Sequence, residues 1–488
     1  MSLKREQTLF DAITLIRDDL VEDAQEMRRK STRSTWKTWA MAACAVLAIG
    51  VGGMLVWSNL GGSSGGGNAG SAGGGTFMSY AGPVLPLTLT EDVQGITAER
   101  TVTYDFSLPN EDSVRVWGSD VEDSYTLTNH TAEEQTVTAL YPFVSSFHDL
   151  DTLTPAVTVD GAAVQPILLT GSSSGSSDLH SWEDYKSLMA DADYQADALS
   201  PAPSLDQAVT IYEFSDFDAP WEEFPAANQA ISFRIDQAKT VVLTYGFEGG
   251  AWDGESNLRL SYSVPDSSSV RPERKLLIVL GDDIGPYVLQ GYQNGACEPG
   301  EELDGVSATV TRYETALPGL MEDLVADFFS RYGNGVGLPT GVSTEMFTGV
   351  IYQFLTQRGV LDNQRGALQE GLESFFNEVF TDQRVLYLEF PITIPPRGSA
   401  AVTASLGKSP SYDYAGSSSK KTSVQGYDLA ARLGSVLVFD SLIARLTNTD
   451  RIKIMEQNFG FNLPDGVSEV TLDPSVERYY LKIRSLES

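Results

Sequence analysis

Hydrophobic and polar positions divide the chain into regions of different period. Within residues 5–27, Leu9, Ile13, Ile16, Leu20, Ala24 and Met27 recur at steps of four, three, four, four and three. That is one face of a 3.6-residue repeat, so an amphipathic helix is expected. Its other faces carry Arg17, Asp18, Asp19, Glu22, Asp23 and Glu26. From Trp39 to Trp57 nineteen residues carry no charge. As a helix they reach ~28 Å, about the thickness of a bilayer's hydrocarbon core. Trp36, Trp39 and Trp57 lie where an interfacial aromatic belt belongs. Gly61 to Gly75 is then a Gly/Ser tether, with an expected span of roughly 20 Å.

Beyond the tether the period shortens to two. Arg100 to Phe106 alternates as a strand. Ser124 to Thr128 and Gln135 to Leu140 flank the polar stretch 129–134 and read as a hairpin. Val157 to Leu169 contains Asp160-Gly161, a tight-turn pair. A helix-like stretch follows from Asp178 to Leu199. Strands resume at Val209–Phe214, Ala230–Ile235, Thr240–Phe247, Leu258–Val264 and Lys275–Leu280.

Three helical patterns interrupt the strands. One opens at Pro318, with Leu320, Leu324, Phe328 and Tyr332 at four-residue steps. The second spans Thr344 to Gln357 and the third Asn363 to Phe380, with Asp362 as its cap. The tail returns to strands at Arg384–Ile394, Ser399–Leu406, Ser435–Phe439, Leu442–Thr447, Arg451–Glu456, Glu469–Leu472 and Arg478–Ile483. Gly407 to Gly426 reads as a polar loop.

The expected class is α+β: one transmembrane helix, then an extracellular, mainly antiparallel, β-sandwich-like ectodomain with a three-helix insert. The divisions are 1–38 (cytoplasmic helix and basic segment), 39–57 (span) and 58–76 (linker). The ectodomain divides into 77–175 and 176–314 (β-rich), 315–382 (helical) and 383–488 (C-terminal β).

Charge sets the orientation. Arg28, Arg29, Lys30, Arg33 and Lys37 crowd one flank of the apolar run, and the next basic residue is Arg100. The positive-inside rule puts residues 1–38 in the cytoplasm and the bulk outside. The 488 residues hold 66 acidic and 33 basic side chains, a net charge of −33. That balance excludes nucleic acid as a partner, because phosphate neutralisation needs a basic face.

A lone helix cannot bury its apolar stripe, so residues 5–27 call for a protein partner at Leu9, Ile13, Ile16, Leu20 and Met27, unless the helix pairs with itself. The segment DAITLIRDDLVEDA, then a basic patch, one span and an outer domain, resembles the membrane-anchored anti-sigma factors of Gram-positive bacteria over roughly the first 57 residues. In that family a cytoplasmic helical segment holds a sigma factor and the outer domain receives a signal. The Cys/His zinc constellation of some members is missing, and the cytoplasmic segment is short for a full sigma-binding domain.

Motifs of chemistry are sparse. Catalysis by an activated nucleophile needs an adjacent base, and the histidines are His130, His148 and His180. Glu213, Asp216 and Asp218, with Trp221 nearby, are the best carboxylate cluster for glycoside hydrolysis. More informative is GFEGGAWDGESN at 246–257. There Trp252 can stack on a sugar, while Asp253, Glu255 and Asn257 offer oxygens to calcium. The closing bidentate glutamate of a calcium loop is missing, and the competing reading is a hairpin whose Trp252 folds back onto its sheet. Cys297 is the lone cysteine beyond the span, a free thiol or an interchain link. Three roles follow: a sensor-regulator with a cytoplasmic partner, an adhesin or carbohydrate-binding module for envelope glycan, and, ranked last, an envelope hydrolase. No resident cofactor is expected, and calcium is the one candidate.

Overall fold

The computed structural model describes residues 76–107, 118–171, 181–190, 196–197, 208–252, 256–265, 274–332, 337–361, 371–416 and 424–486. The stripe of Leu9, Ile13, Ile16, Leu20 and Met27, the 39–57 span, His180, Asp253 and Glu255 lie outside them. Among the described residues no helix is long and apolar enough to cross a membrane.

The first segment forms β1 (Thr76–Tyr80), β2 (Thr88–Leu89), β3 (Ile96–Asp105), β4 (Ser119–Asn129), β5 (Gln135–Ser145), α1 (Leu150–Leu153), β6 (Ala156–Val159), β7 (Ala162–Ala163), β8 (Ile167–Gly171), α2 (Trp182–Ala190) and β9 (Ala196–Asp197). A middle segment forms β10 (Ala208–Asp218), β11 (Asn228–Arg234), β12 (Thr240–Tyr245), β13 (Gly249–Trp252), β14 (Asn257–Ser263), β15 (Lys275–Gly281), β16 (Tyr287–Tyr292) and β17 (Ser307–Ala316). Helices α3 (Leu317–Tyr332), α4 (Thr344–Gln357) and α5 (Leu372–Thr381) follow. The last segment forms β18 (Arg384–Ile394), β19 (Ser399–Lys408), β20 (Tyr412–Gly416), β21 (Val424–Ala430), β22 (Val438–Thr447), β23 (Ile452–Gln457), β24 (Glu469–Leu472) and β25 (Arg478–Ser485).

The first and last segments share three sheets. A central sheet runs β24-β22-β3-β4-β19-β6-β7. Its pairs are antiparallel except β22 with β3, which run parallel from Val438↔Thr97 to Thr447↔Asp105. A second sheet runs β2-β5-β18-β8-β9 and a third β1-β20-β21-β25-β23. Along β3 the side chains of Ile96, Ala98, Arg100, Val102 and Tyr104 are all buried, while their alternates are half-buried or exposed. That period of two makes the central sheet half-solvated.

Its buried face has two covers. Ile96 and Ala98 pack in one core with Val137, Ala139 and Tyr141 of β5 and Leu386 and Leu388 of β18. Val102 and Tyr104 pack in another with Tyr427 and Leu429 of β21 and Leu481 and Ile483 of β25. Arg100 falls at the seam between them. Its Nε and Nη2 each donate to Asp123 at 2.9 Å. Nη1 donates to the Ala430 carbonyl at 2.7 Å, and Nη2 also reaches the Leu85 carbonyl at 3.3 Å. The Tyr125 hydroxyl donates to Asp123 at 2.7 Å and accepts from the Leu87 amide.

The middle segment is an excursion between β9 and β18 that adds three layers. One sheet (β12-β15-β10-β17) faces another (β13-β14-β11-β16). The space between them holds Tyr212, Phe214, Phe247 and Tyr262, and the rings of the last three meet edge to face with centroids 5.1–5.6 Å apart. The first sheet's other face, with Ile211, Leu243, Tyr245 and Ile278, packs on α3, α4 and α5. Burial on both sides explains why TVVLTY and KLLIVLG read as unbroken apolar runs.

Three sequence readings change. The run 124–140 is not a hairpin: β4 pairs with β3 and β19, whereas β5 pairs with β2 and β18. The intervening turn crosses between facing sheets. Asn129 holds that corner, its Nδ2 donating to the Glu133 and Pro395 carbonyls and its Oδ1 accepting from the Thr131 amide. Gly407 to Gly426, expected as a loop, contains β20 and the start of β21. The stretch 435–447 is one strand from Val438. The Asp160-Gly161 turn is where it was expected, with φ of 50° and 79°.

Asp123→Ala would leave a guanidinium buried without its counter-charge. Urea denaturation should show a loss of about 3–5 kcal/mol. A loss under about 1 kcal/mol would mean that the backbone carbonyls alone hold Arg100.

Candidate functional site

The loop containing Trp252 begins where the chain leaves one insert sheet for the other. Gly246 makes that corner with φ of 77°, and a Cβ there would stand 2.1 Å from the Arg274 carbonyl oxygen. Only glycine fits both restrictions. The Gly246 amide donates to the Glu373 carboxylate at the start of α5, tying the corner to the helices. The chain then pairs as β13 on β14, with Trp252 opposite Leu258.

Trp252 is half-buried against the aromatic inter-sheet core. Asn257 is exposed, and its Oδ1 accepts from the Arg234 Nε at 2.8 Å. That contact already occupies one of the oxygens considered for calcium. Among the described residues no group of three or more His, Cys, Asp or Glu side chains is placed to hold a metal. Trp252 shares the core-facing side of its sheet with Leu258, whereas Asn257, the preceding residue of β14, falls on the opposite face beside Arg234, so the structure does not bring the indole and the amide together.

The other candidates are engaged in the fold. Glu213 accepts from the Tyr313 hydroxyl at 3.0 Å and lies 3.7 Å from Arg274. Asp216 occupies a left-handed position (φ 49°) where the register of β10 on β17 shifts. His130 Nε2 lies 2.8 Å from Thr97 Oγ1. His148 Nδ1 lies 2.9 Å from Asp149 Oδ1, while Asp149 Oδ2 accepts from Ser146 Oγ and Asp151 accepts the Thr340 amide. The acids of FHDLD therefore bind the end of β5 to the segment before α4. Cys297 is buried with Ala230 and Tyr292, and burial pushes its thiol pKa up. An interchain disulfide there would need the loop to open.

A cluster that the sequence reading passed over lies where β1, β19, β21 and β25 meet. Asp428 is buried; its Oδ2 accepts from the Tyr80 hydroxyl at 2.6 Å and lies 2.8 Å from Arg478 Nη2. Burial raises its pKa, against the Tyr80 hydrogen bond and Arg478. Asp428 Oδ1 has no hydrogen-bond partner among the described residues. Lys408, also buried, donates to the Ala81 and Ser409 carbonyls at 3.1 and 3.0 Å. Desolvation lowers its pKa to about 8, with Asp428 opposing. The available signal was a single charge inside each of two strand-like runs, ASLGK and YDLA.

These shifts set the alkaline response. Lys408 in the fold releases its proton near 8, and in the unfolded chain near 10.5. The unfolded state binds more protons between these values, so stability rises with pH there. Tyr80, Tyr104, Tyr125, Tyr141 and Tyr185 have pKa values raised, chiefly by burial, above the usual 10.0. Their contribution is complete below 10 and is lost as pH climbs above it. The urea midpoint should therefore peak between pH 8 and 10, and Lys408→Met should flatten the rise. A midpoint falling steadily from pH 7 in both proteins would contradict this. The chain matches no family model and none of the curated proteins.

Proposed function

We propose that this chain is a single-pass cell-surface sensor-regulator, with residues 1–38 in the cytoplasm and the β-rich body outside. One observation carries the reading: an amphipathic stripe, a basic cluster and an uncharged nineteen-residue run follow one another within the first 57 residues. The stripe supplies an apolar face for a helical partner, of which a sigma factor is the specific candidate by resemblance. The basic cluster fixes orientation, and the acidic body faces the envelope.

The test is a crosslinking pull-down with the full-length chain from native membranes. Ile13→Asp with Ile16→Asp places two charges in the stripe and leaves the span intact. Partner recovery should fall at least about tenfold, as expected when a helix-in-groove anchor is lost. Equal recovery by both proteins would refute partner capture through this face.

A second reading, a carbohydrate-binding surface protein, is favoured by the half-exposed indole of Trp252 at a sheet edge. Trp252→Ala should abolish retention on a glycan array while the urea midpoint shifts by no more than about 2 kcal/mol of stability. Retention unchanged by the substitution would remove that loop as the contact.

A further inference from the structure

The two facing sheets of the insert have one closed edge and one open side. β12, at one edge of the helix-covered sheet, is buried over its whole length. β17, at the other edge, has no buried residue. It pairs with β10 from Ser307 to Ala316, and among the described residues nothing pairs with its outer edge. Alternate amides and carbonyls along that edge face outward. In the facing sheet the edge strand is β16. It is closed at one end, where the Leu303 amide donates to the Gly291 carbonyl at 2.8 Å and Tyr292 bridges Glu302. At the other end Tyr287 and Val288 are exposed, Val288 by 63%. The edges of β16 and β17 lie on the same side of the insert. A Cβ on Gly291 would stand 2.4 Å from Val306 Cβ, and Arg312 Nε donates to Asp283, ahead of β16, at 3.0 Å.

We propose that β17 is a self-pairing edge whose occupant is β17 of a second copy of this chain. Two identical strands pair antiparallel about a two-fold axis normal to the sheet, and opposed residues then point to the same face. Ala308 and Val310 face the inter-sheet core, whereas Tyr313 faces the helices. Opposed positions therefore share parity, and the axis passes through a residue. An axis at Arg312 or Glu314 sets a charge against its own copy. An axis at Thr311 sets Arg312 against Val310, and one at Thr315 sets Glu314 against Ala316. An axis at Tyr313 sets Arg312 against Glu314 of the second copy, twice, and Thr311 against Thr315, twice. Opposite charges and paired threonines are the favourable cross-strand neighbours. Both charges are exposed in the single copy, with Arg312 held by Asp283. The same axis joins the two four-stranded sheets into one and turns Tyr287 and Val288 toward their counterparts. It covers apolar groups that a lone insert leaves in water. None of this depends on where residues 39–57 lie.

The test is sedimentation equilibrium of the full-length chain in neutral detergent. The wild-type chain should dimerise reversibly. Glu314→Arg sets like charges opposite each other at both pairs, and should raise the dimer dissociation constant about tenfold with the urea midpoint unchanged. Ile13→Asp with Ile16→Asp, which alters the other candidate self-pairing face, should leave the constant unchanged. Thr311→Cys with Thr315→Cys, in a Cys44→Ala/Cys297→Ala background, reads the register. The two positions lie about 13 Å apart along one strand, too far to bond within a copy. Mild oxidation should link position 311 of one copy to position 315 of the other, as mapped by mass spectrometry. A chain that stays monomeric, a dimer indifferent to Glu314→Arg, or links from 311 to 311 would each overturn the proposal. A monomer that takes up an extended peptide along β17 would overturn it too, making the edge an acceptor for another protein. So would a dimer lost in Ile13→Asp/Ile16→Asp and kept in Glu314→Arg, which would assign self-association to the N-terminal stripe.

Discussion

The buried Arg100–Asp123 pair is the constraint on which the largest part of the molecule depends. Three strands from two sheets converge on one guanidinium: β3 carries it, β4 supplies the carboxylate, and β21 supplies the Ala430 carbonyl. Tyr141 of β5 adds its hydroxyl to Asp123 at 3.3 Å. Burial by itself disfavours the charged guanidinium, but Asp123 and the surrounding tyrosines more than reverse this and raise its pKa. An arginine suits the seam because its planar fork can serve a carboxylate and backbone carbonyls at once. A leucine there would fill space and leave those carbonyls unserved. The two cores flanking Arg100 are apolar and non-directional, so the pair fixes how the covering sheets sit on the central one.

The insert reaches order by a different route. Its shared sheet is buried on both faces, and the Gly246–Glu373 and Tyr245–Asp327 hydrogen bonds tie it to the helices. Alignment comes from ring geometry on one side and helix packing on the other. Phe329 of α3 meets Phe347 of α4 at 5.2 Å and Phe380 of α5 at 4.9 Å. Phe147, beyond the end of β5, meets Phe347 at 5.5 Å, so the helices also lean on the first segment. The Arg384 guanidinium stacks over Phe147 at 4.8 Å and donates to the last turn of α5, joining insert to body where the chain returns.

Beside these large interfaces the Asp428 cluster is small, yet it lies where the chain enters the body. Among the described residues its charges are only partly matched: Asp428 Oδ1 has no hydrogen-bond partner, and Lys408 donates to backbone carbonyls. Such a cluster is costly to bury and sensitive to the loss of one partner.

The sequence by itself determined the local elements, because period and turn chemistry are properties of neighbouring residues. The alternation in Arg100–Phe106, the apolar runs of β12 and β15, the stripe of α3 and the Asp160-Gly161 turn all follow from side chains within one element's reach. Trp252 and Asn257, read as members of one loop, instead end β13 and open β14. Tertiary structure decided which strands are neighbours. β3 finds β22 some 340 residues on, in parallel, and no local pattern encodes that. Asn129 turns an apparent hairpin into a crossing only because the Ile394–Pro395 backbone stands beside it. Asn257 meets Arg234 across two paired strands, and Asp428 meets Tyr80 across 348 positions. Contacts between distant residues depend on closing the intervening chain, and that closure is settled by the sum of all the cores at once.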